Sequence, residues 1–280
     1  MNRHPLRLTV ALAVAGLVLA GCSPSSSPAP SSTTTSGITL VSPGSLTICV
    51  DVPYKPMEYA DTNGDVVGFD IDFARLVADR LGVKLSVIQS VFAQIWSGAN
   101  FAAKKCDLGW SSISITDARK QAVLFSIPYF EATQALGVGL NSGINGLADL
   151  KGKNLSVQSD TTGADYADAN KDKYGYNVVM FDDGGTALNA LLSGRADASL
   201  VDNAITRAFV YDNKTSVKVA TEFQTGETYG VAAKIDDANA AKLMDLVNEV
   251  LTTANQDGTY LKIYQKWIDP AATSAGLPKA

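Results

Sequence analysis

Gly68-Phe69-Asp70-Ile71-Asp72-Phe73-Ala74-Arg75-Leu76-Val77-Ala78-Asp79-Arg80-Leu81-Gly82 is the stretch on which the fold turns. Phe73, Leu76, Val77 and Leu81 recur at spacings of three and four, which predicts an amphipathic helix, and Gly82 supplies its stop. Upstream, residues 46–50 form a short apolar run rich in β-formers, ended by Asp51, Pro53 and Pro56; downstream, residues 84–88 read as a second strand. The unit is β-α-β. The pattern then repeats. Residues 92–105 make a weaker helix and 108–115 a strand, and strand and helix alternate over 154–158, 163–169, 178–181, 186–193, 198–201 and 205–211. Leu243, Leu246, Val247, Val250 and Leu251 form a helical stripe, and 260–267 a last helix. This alternation predicts an α/β fold of parallel sheets with helices on both faces. In such sheets ligands sit beyond the carboxyl ends of the strands.

The ends of the chain read differently from its middle. Residues 1–21 look like an export signal, with Arg3 and Arg7 ahead of the apolar stretch 8–20. Residues 23–44 are mostly Ser, Thr, Pro and Gly with no charged side chain, so they are expected to act as a flexible leash. The folded part is then 45–280, enough for two lobes of roughly 100 residues each. Net charge among the 280 residues is −5, which argues against nucleic acid as a partner. No second apolar run approaches the ~20 residues that span a bilayer. The single histidine, His4, lies inside the signal. Its position removes Ser-His-Asp and Cys-His nucleophiles, His-ligated zinc and His acid–base chemistry from the processed chain. No metal and no cofactor are expected.

Leu19-Ala20-Gly21-Cys22 resembles the lipobox of bacterial lipoproteins, in which cleavage falls before the cysteine and the cysteine carries lipid. The alternative is a plain signal peptide, which would want an Ala-x-Ala-like site. A diacylated Cys22 would anchor the body at the outer membrane–water interface.

Six landmarks, the opening stretch among them, carry a wider resemblance. Residues 68–73 with Val77, Ala78 and Leu81 are similar to the signature of solute-binding protein family 3, the extracytoplasmic receptors of polar amino-acid ABC importers. Asp51-Val52-Pro53-Tyr54-Lys55-Pro56, Ser114-Ile115-Thr116-Asp117-Ala118-Arg119, Phe125-Ser126-Ile127-Pro128-Tyr129, Gly194-Arg195-Ala196-Asp197-Ala198 and Asp257-Gly258-Thr259-Tyr260 agree in order and spacing. The resemblance implies a two-lobed, type II periplasmic-binding-protein-like fold, with two parallel-sheet lobes joined by a two-strand hinge. Lobe 1 would comprise 45–129 and 230–280, lobe 2 would comprise 137–227, and the hinge would be 130–136 and 228–229.

The resemblance also implies a site. Arg119 would grip the α-carboxylate of an amino acid, its planar fork suiting a bidentate pair; the bland reading is a solvated arginine at a helix start. Thr161 and Thr162 would meet the same carboxylate from lobe 2 through backbone N–H groups and hydroxyls, although either could be a plain helix cap. Asp202 would take the α-ammonium, or else cap the helix that follows. Ser112, through its backbone, and Ser114, through its hydroxyl, would complete the lobe 1 contacts. Asp51, Tyr54 and Phe92 would surround the ligand side chain, with core packing the alternative for both rings. Asp160 stands where the family often has glycine, and either adds negative charge near the cleft or makes a turn. Cys49 and Cys106 would lie on neighbouring strands and form one disulfide, or remain two buried thiols.

The expected function is a non-enzymatic, monomeric receptor, lipid-anchored outside the cell membrane. It would hand a polar, cationic L-amino acid to ABC permease subunits. The competing readings are an exported dehydratase on the same fold and a ligand sensor.

Overall fold

Strand β1 (Ser45–Val50) leads through a small hairpin of β2 (Tyr59–Ala60) and β3 (Val66–Val67) into α1 (Phe69–Leu81) and back into β4 (Lys84–Gln89). β1 and β4 run parallel, in register from Ser45↔Lys84 to Val50↔Gln89. α1 buries Phe69, Ile71, Phe73, Ala74, Val77, Ala78 and Leu81, and Gly82 ends it in the left-handed region at φ 69. Gly68 is obligatory. Its φ is 142, and a Cβ there would lie 2.1 Å from the Met57 carbonyl oxygen.

These features come from a computed structural model that describes residues 33–34 and 37–278; the stretch expected to be an export signal and Cys22 lie outside the described residues. After β4 come α2 (Phe92–Trp96), α3 (Ala99–Ala102), β5 (Leu108–Ser114), α4 (Asp117–Lys120), β6 (Val123–Phe125) and β7 (Phe130–Gly139). The helix expected over 92–105 is two short pieces, parted at Gly98 with φ 81. The second half holds β8 (Asn154–Gln158), α5 (Thr162–Tyr174), β9 (Asn177–Phe181), α6 (Gly184–Leu192), β10 (Ala198–Asp202) and α7 (Asn203–Asp212). β11 (Val217–Lys234), α8 (Ala238–Gln256) and α9 (Thr259–Trp267) complete the chain.

The large sheet has the order β4-β1-β5-β11-β7-β10-β8-β9. Its two ends are parallel sets, β4-β1-β5 and β10-β8-β9, each the centre of one lobe. To each set one antiparallel strand is added, β11 beside β5 and β7 beside β10. β7 and β11 pair with each other from Tyr229↔Phe130 to Val217↔Gly139, so two long strands carry the connection between lobes. Their ladder is interrupted between Phe223 and Glu227. Because both parallel sets end toward the middle, Asp51, Ser114, Gln158 and Asp202 meet at one cleft.

The last part of the expected leash is docked. Ile38 and Leu40 are each 3% exposed and join the main core. The Thr39 N–H donates to Asn239 Oδ1 at 2.7 Å, Asn239 Nδ2 returns a bond to the Thr39 carbonyl at 2.8 Å, and the Val41 N–H donates to Asp107 Oδ1 at 2.7 Å. Composition alone was a poor guide because two apolar side chains and a few backbone bonds are enough to hold an extended segment. Cys49 on β1 and Cys106 before β5 form a disulfide, their Cα atoms 5.7 Å apart. Among the described residues no helix is long and apolar enough to cross a membrane.

Gly68→Ala should lower the melting temperature by about 5 °C or more, because the added Cβ collides with rigid backbone at a φ that L side chains avoid. A melt within 1 °C of wild type, roughly the noise of such a scan, would mean that the turn before α1 can be rebuilt freely.

Candidate functional site

The cleft is lined from lobe 1 by Asp51, Tyr54, Glu58, Phe92, Ser112, Ser114 and Arg119, and from lobe 2 by Gln158, Thr161, Thr162 and Asp202. Every residue expected at the site therefore faces it except Asp160. The cavity is small, about 20 Å³, because side chains of the two lobes reach one another across it. Such a volume holds about one water, so anything the size of an amino acid enters only when the lobes part.

Arg119 sits one turn into α4, whose cap is Thr116; the Thr116 hydroxyl accepts from the Arg119 N–H. Its guanidinium lies over the rings of Phe92 and Trp96, with centroid distances of 5.1 and 5.3 Å. Nη1 donates to the Ser114 carbonyl at 3.0 Å and Nη2 to the Asp160 carbonyl at 3.1 Å. Arg119 is 5% exposed. The ion pairs among the described residues all lie elsewhere. Burial lowers its pKa, opposed by the more distant charges of Asp202, Asp165 and Glu227. A cation so placed favours an anion brought from outside. Phe92 thus has two roles, as a wall of the cleft and as the support of this guanidinium.

Asp160 is exposed, with φ 61, and it brings its carbonyl rather than its carboxylate to Arg119. The turn reading holds, and left-handed backbone explains why glycine suits the position. The two threonines differ from expectation in one respect. The Thr161 hydroxyl caps α5 by accepting from the Ala164 N–H and donates to the Gln158 carbonyl, while the Thr162 hydroxyl donates to Glu227. Neither hydroxyl proton is available to a carboxylate. What the helix start offers an anion is backbone N–H and the positive end of its dipole.

Acids line the rest. Asp202, 7% exposed, accepts from Tyr54 across the cleft at 2.8 Å, from Gln134 at 2.5 Å and from the Tyr229 hydroxyl. Burial, then the Glu227 charge, raises its pKa to about 6. Asp51 accepts from Gln158 across the cleft at 2.5 Å, and burial pushes it to about 7. Glu58 is fully buried; Ser111 donates to its Oε1 at 2.7 Å, and its carboxyl shares a hydrogen bond with Asp70. Burial and the neighbouring Asp70 charge hold the Glu58 carboxyl well above the usual carboxylate range. Asp70, the first acid of the α1 motif, takes the Ser112 N–H at 2.8 Å, the Ser112 hydroxyl at 3.2 Å and the Tyr129 hydroxyl at 2.8 Å. This holds Ser112 at φ 49 beside the cleft, so any ligand contact from Ser112 comes through its carbonyl.

Glu58, Gln158, Gln134, Trp96 and Glu227 escaped the sequence reading. Gln158 was within reach of it, since it ends β8 as Asp51 follows β1. Glu58, between Met57 and Tyr59, carried a weaker signal, an acid set among large apolar residues. Gln134 and Glu227 carried none, because their strands show no clear alternation.

A hinged pair of lobes with a charged, closable cleft defines a solute-binding receptor fold. Residues 46–270 match the profile of the bacterial extracellular solute-binding proteins, family 3, and the chain belongs to that family. It is 33% identical to the lysine/arginine/ornithine-binding periplasmic protein of Escherichia coli (strain K12), over 81% of this chain and 88% of that one. Among solved structures, an ancestral arginine-binding protein bound to arginine superposes with a TM-score of 0.74 at 38% identity, covering 80% of this chain and 98% of that one. An ancestral amino acid-binding protein described as a precursor of cyclohexadienyl dehydratase gives 0.70 at 32% identity, covering 80% and 95%.

Asp51 and Asp202 bind more protons folded than unfolded between pH 4, near their ordinary value of 3.8, and about 7. Stability without ligand should therefore fall as pH rises through that window and level off above it. The melting temperature should be higher at pH 5 than at pH 8 by roughly 5 °C, and Asp202→Asn should flatten the profile. A melt that rises with pH over this range would contradict these ionisation states.

Proposed function

We propose that this protein is an extracytoplasmic, non-enzymatic receptor that closes on a cationic L-amino acid and passes it to an ABC permease. One observation carries the reading. Arg119 is buried at one end of the cleft without an acid, and half-buried Asp51 and buried Asp202 lie along the rest without a lysine or arginine. An amino acid with a cationic side chain supplies all the missing partners. Its α-carboxylate meets Arg119 and the start of α5, its α-ammonium meets Asp202, and its side-chain cation lies between Asp51 and Glu58, near the Tyr54 ring. A ligand acid at that far end would face carboxyls on every side. The relatives named for arginine, lysine and ornithine support the same class. Lipid on Cys22 would tether the body, and residues 130–136 with 228–229 would serve as the hinge.

A dehydratase reading has one point in its favour, the structural relative described as a dehydratase precursor. It needs a proton donor or acceptor aimed at a substrate. The cleft acids here are each tied to hydrogen-bond partners of their own, Glu58 to Ser111 and Asp70. No turnover of prephenate-like substrates is expected.

Calorimetric titration against the twenty amino acids should place arginine, lysine and ornithine-like cations first, glutamine next and the acidic amino acids last. Arg119→Ala should weaken arginine binding by about a hundredfold or more, since it leaves the carboxylate buried without its partner. Tight glutamate binding with arginine and lysine silent would reverse the charge assignment of the cleft.

Closure has its own test. Cβ atoms on Gly184 and Gly185 would lie 2.7 Å from the Tyr54 ring and from Pro53 respectively, so these glycines seat lobe 1 on lobe 2. Gly184→Ala puts a Cβ against the Tyr54 ring in the ligand-free protein and should lower its melting temperature by a few degrees, roughly the cost of one overpacked contact. Arginine binding, which draws the lobes onto the same contact, should weaken by about tenfold, the equivalent of one unrelieved contact of this kind. Unchanged affinity would show that the lobes do not meet there when ligand is bound.

A further inference from the structure

Glu227 lies on β11 where the strand crosses between lobes, opposite Ala132 of β7. Its side chain reaches the cleft from behind. Oε2 accepts from the Ser114 hydroxyl of lobe 1 at 2.8 Å and from the Thr162 hydroxyl of lobe 2 at 2.6 Å. Oε1 accepts from Gln134 Nε2 at 3.2 Å, and the same Gln134 amide donates to Asp202 at 2.5 Å. Gln134 is fully buried, so the two carboxylates are fixed relative to each other by one rigid amide.

We propose that Glu227 sets the polarity of this end of the cleft: by taking the Ser114 and Thr162 hydroxyl protons, it leaves both oxygens facing the ligand as acceptors, so that binding demands an α-ammonium. The inference rests on the amino-acid reading above. A hydroxyl has one proton and two lone pairs, and free in a cleft it turns to suit either a carboxylate or an ammonium. Here both protons are spent on the same carboxylate oxygen. The 3.5 Å approach of Ser114 Oγ to Thr162 Oγ1 then brings together two oxygens that can only accept. An α-ammonium has three N–H donors, and Ser114, Thr162 and Asp202 supply three acceptors. A ligand carboxylate is turned away from these oxygens and toward Arg119. Glu227 touches no ligand in this arrangement. It is a positioning residue that acts through two hydroxyls, one in each lobe.

The test separates polarity from a merely structural role at the hinge. Wild type, Glu227→Ala and Glu227→Gln are titrated with L-arginine, with 5-guanidinopentanoate, which lacks the α-ammonium, and with agmatine, which lacks the α-carboxylate. In both variants the preference for L-arginine over 5-guanidinopentanoate should fall by roughly tenfold to a hundredfold, the range for a charge-assisted hydrogen bond. The preference over agmatine, which Arg119 sets, should stay within about twofold, the level at which uncoupled sites remain additive. Thr162→Val leaves Glu227 in place and removes one of the hydroxyls; it should lower the first preference alone, and it carries the test if the Glu227 variants fail to fold. Equal loss of both preferences, or loss of neither, overturns the inference while leaving the amino-acid reading intact. If wild type binds a different amino acid, its own deaminated and decarboxylated analogues replace these probes. Binding of none of the twenty overturns both.

Discussion

A guanidinium taken out of water needs a counterion, and the way lobe 1 folds denies one to Arg119. It lies over Phe92 and Trp96 and its N–H groups are turned to two carbonyls, one from each lobe. Meanwhile Asp51 and Asp202 are held some way off by Gln158, Gln134 and two tyrosines, which satisfy lone pairs but bring no positive charge. Burial raises both pKa values, and neutral donors of this kind offset the rise in part without supplying a counter-charge. Opposite charges are kept apart inside one cleft. The chain gives up the Coulomb energy of pairing them, and a ligand that carries both signs recovers it.

Asp70 is where this arrangement is anchored to the fold. A helix motif was legible as a helix from its period, yet the acid within it is fully buried and has nothing to do with helix propensity. It fixes the left-handed Ser112 and binds Tyr129 at the threshold of β7, while the next acid, Asp72, accepts from Trp267 and Lys266 of α9. Gly68 makes the whole turn possible by letting the Met57 carbonyl come close. Three residues of one short motif thus tie α1 to β5, to the hinge and to the last helix.

Periodicity made the parallel cores legible, because strands buried on both faces read as apolar runs and their helices as amphipathic stripes. It also marked strand ends, among which the resemblance to a receptor family picked out Asp51, Ser114 and Asp202. It missed β7 and β11, whose residues mix Thr, Glu, Gln and Gly because the strands pass between lobes with a different environment on each side. Gln134 and Glu227 were hidden with them. The resemblance to a receptor family supplied the hinge that periodicity could not. Composition misread residues 38–44, where Ile38 and Leu40 dock despite a Ser/Thr-rich setting. In each case the missing information was tertiary: which backbone a polar side chain would meet once the lobes came together.

The central claim is that a cationic amino acid ionises acids that the ligand-free cleft keeps partly protonated. Arginine binding measured by calorimetry at pH 7 in two buffers of different ionisation enthalpy tests it most directly. Asp51, near pKa 7, and Asp202, near 6, should both be driven to their charged forms, so binding should release on the order of half a proton or more per ligand. Proton uptake on binding, or an enthalpy independent of buffer, would contradict the account.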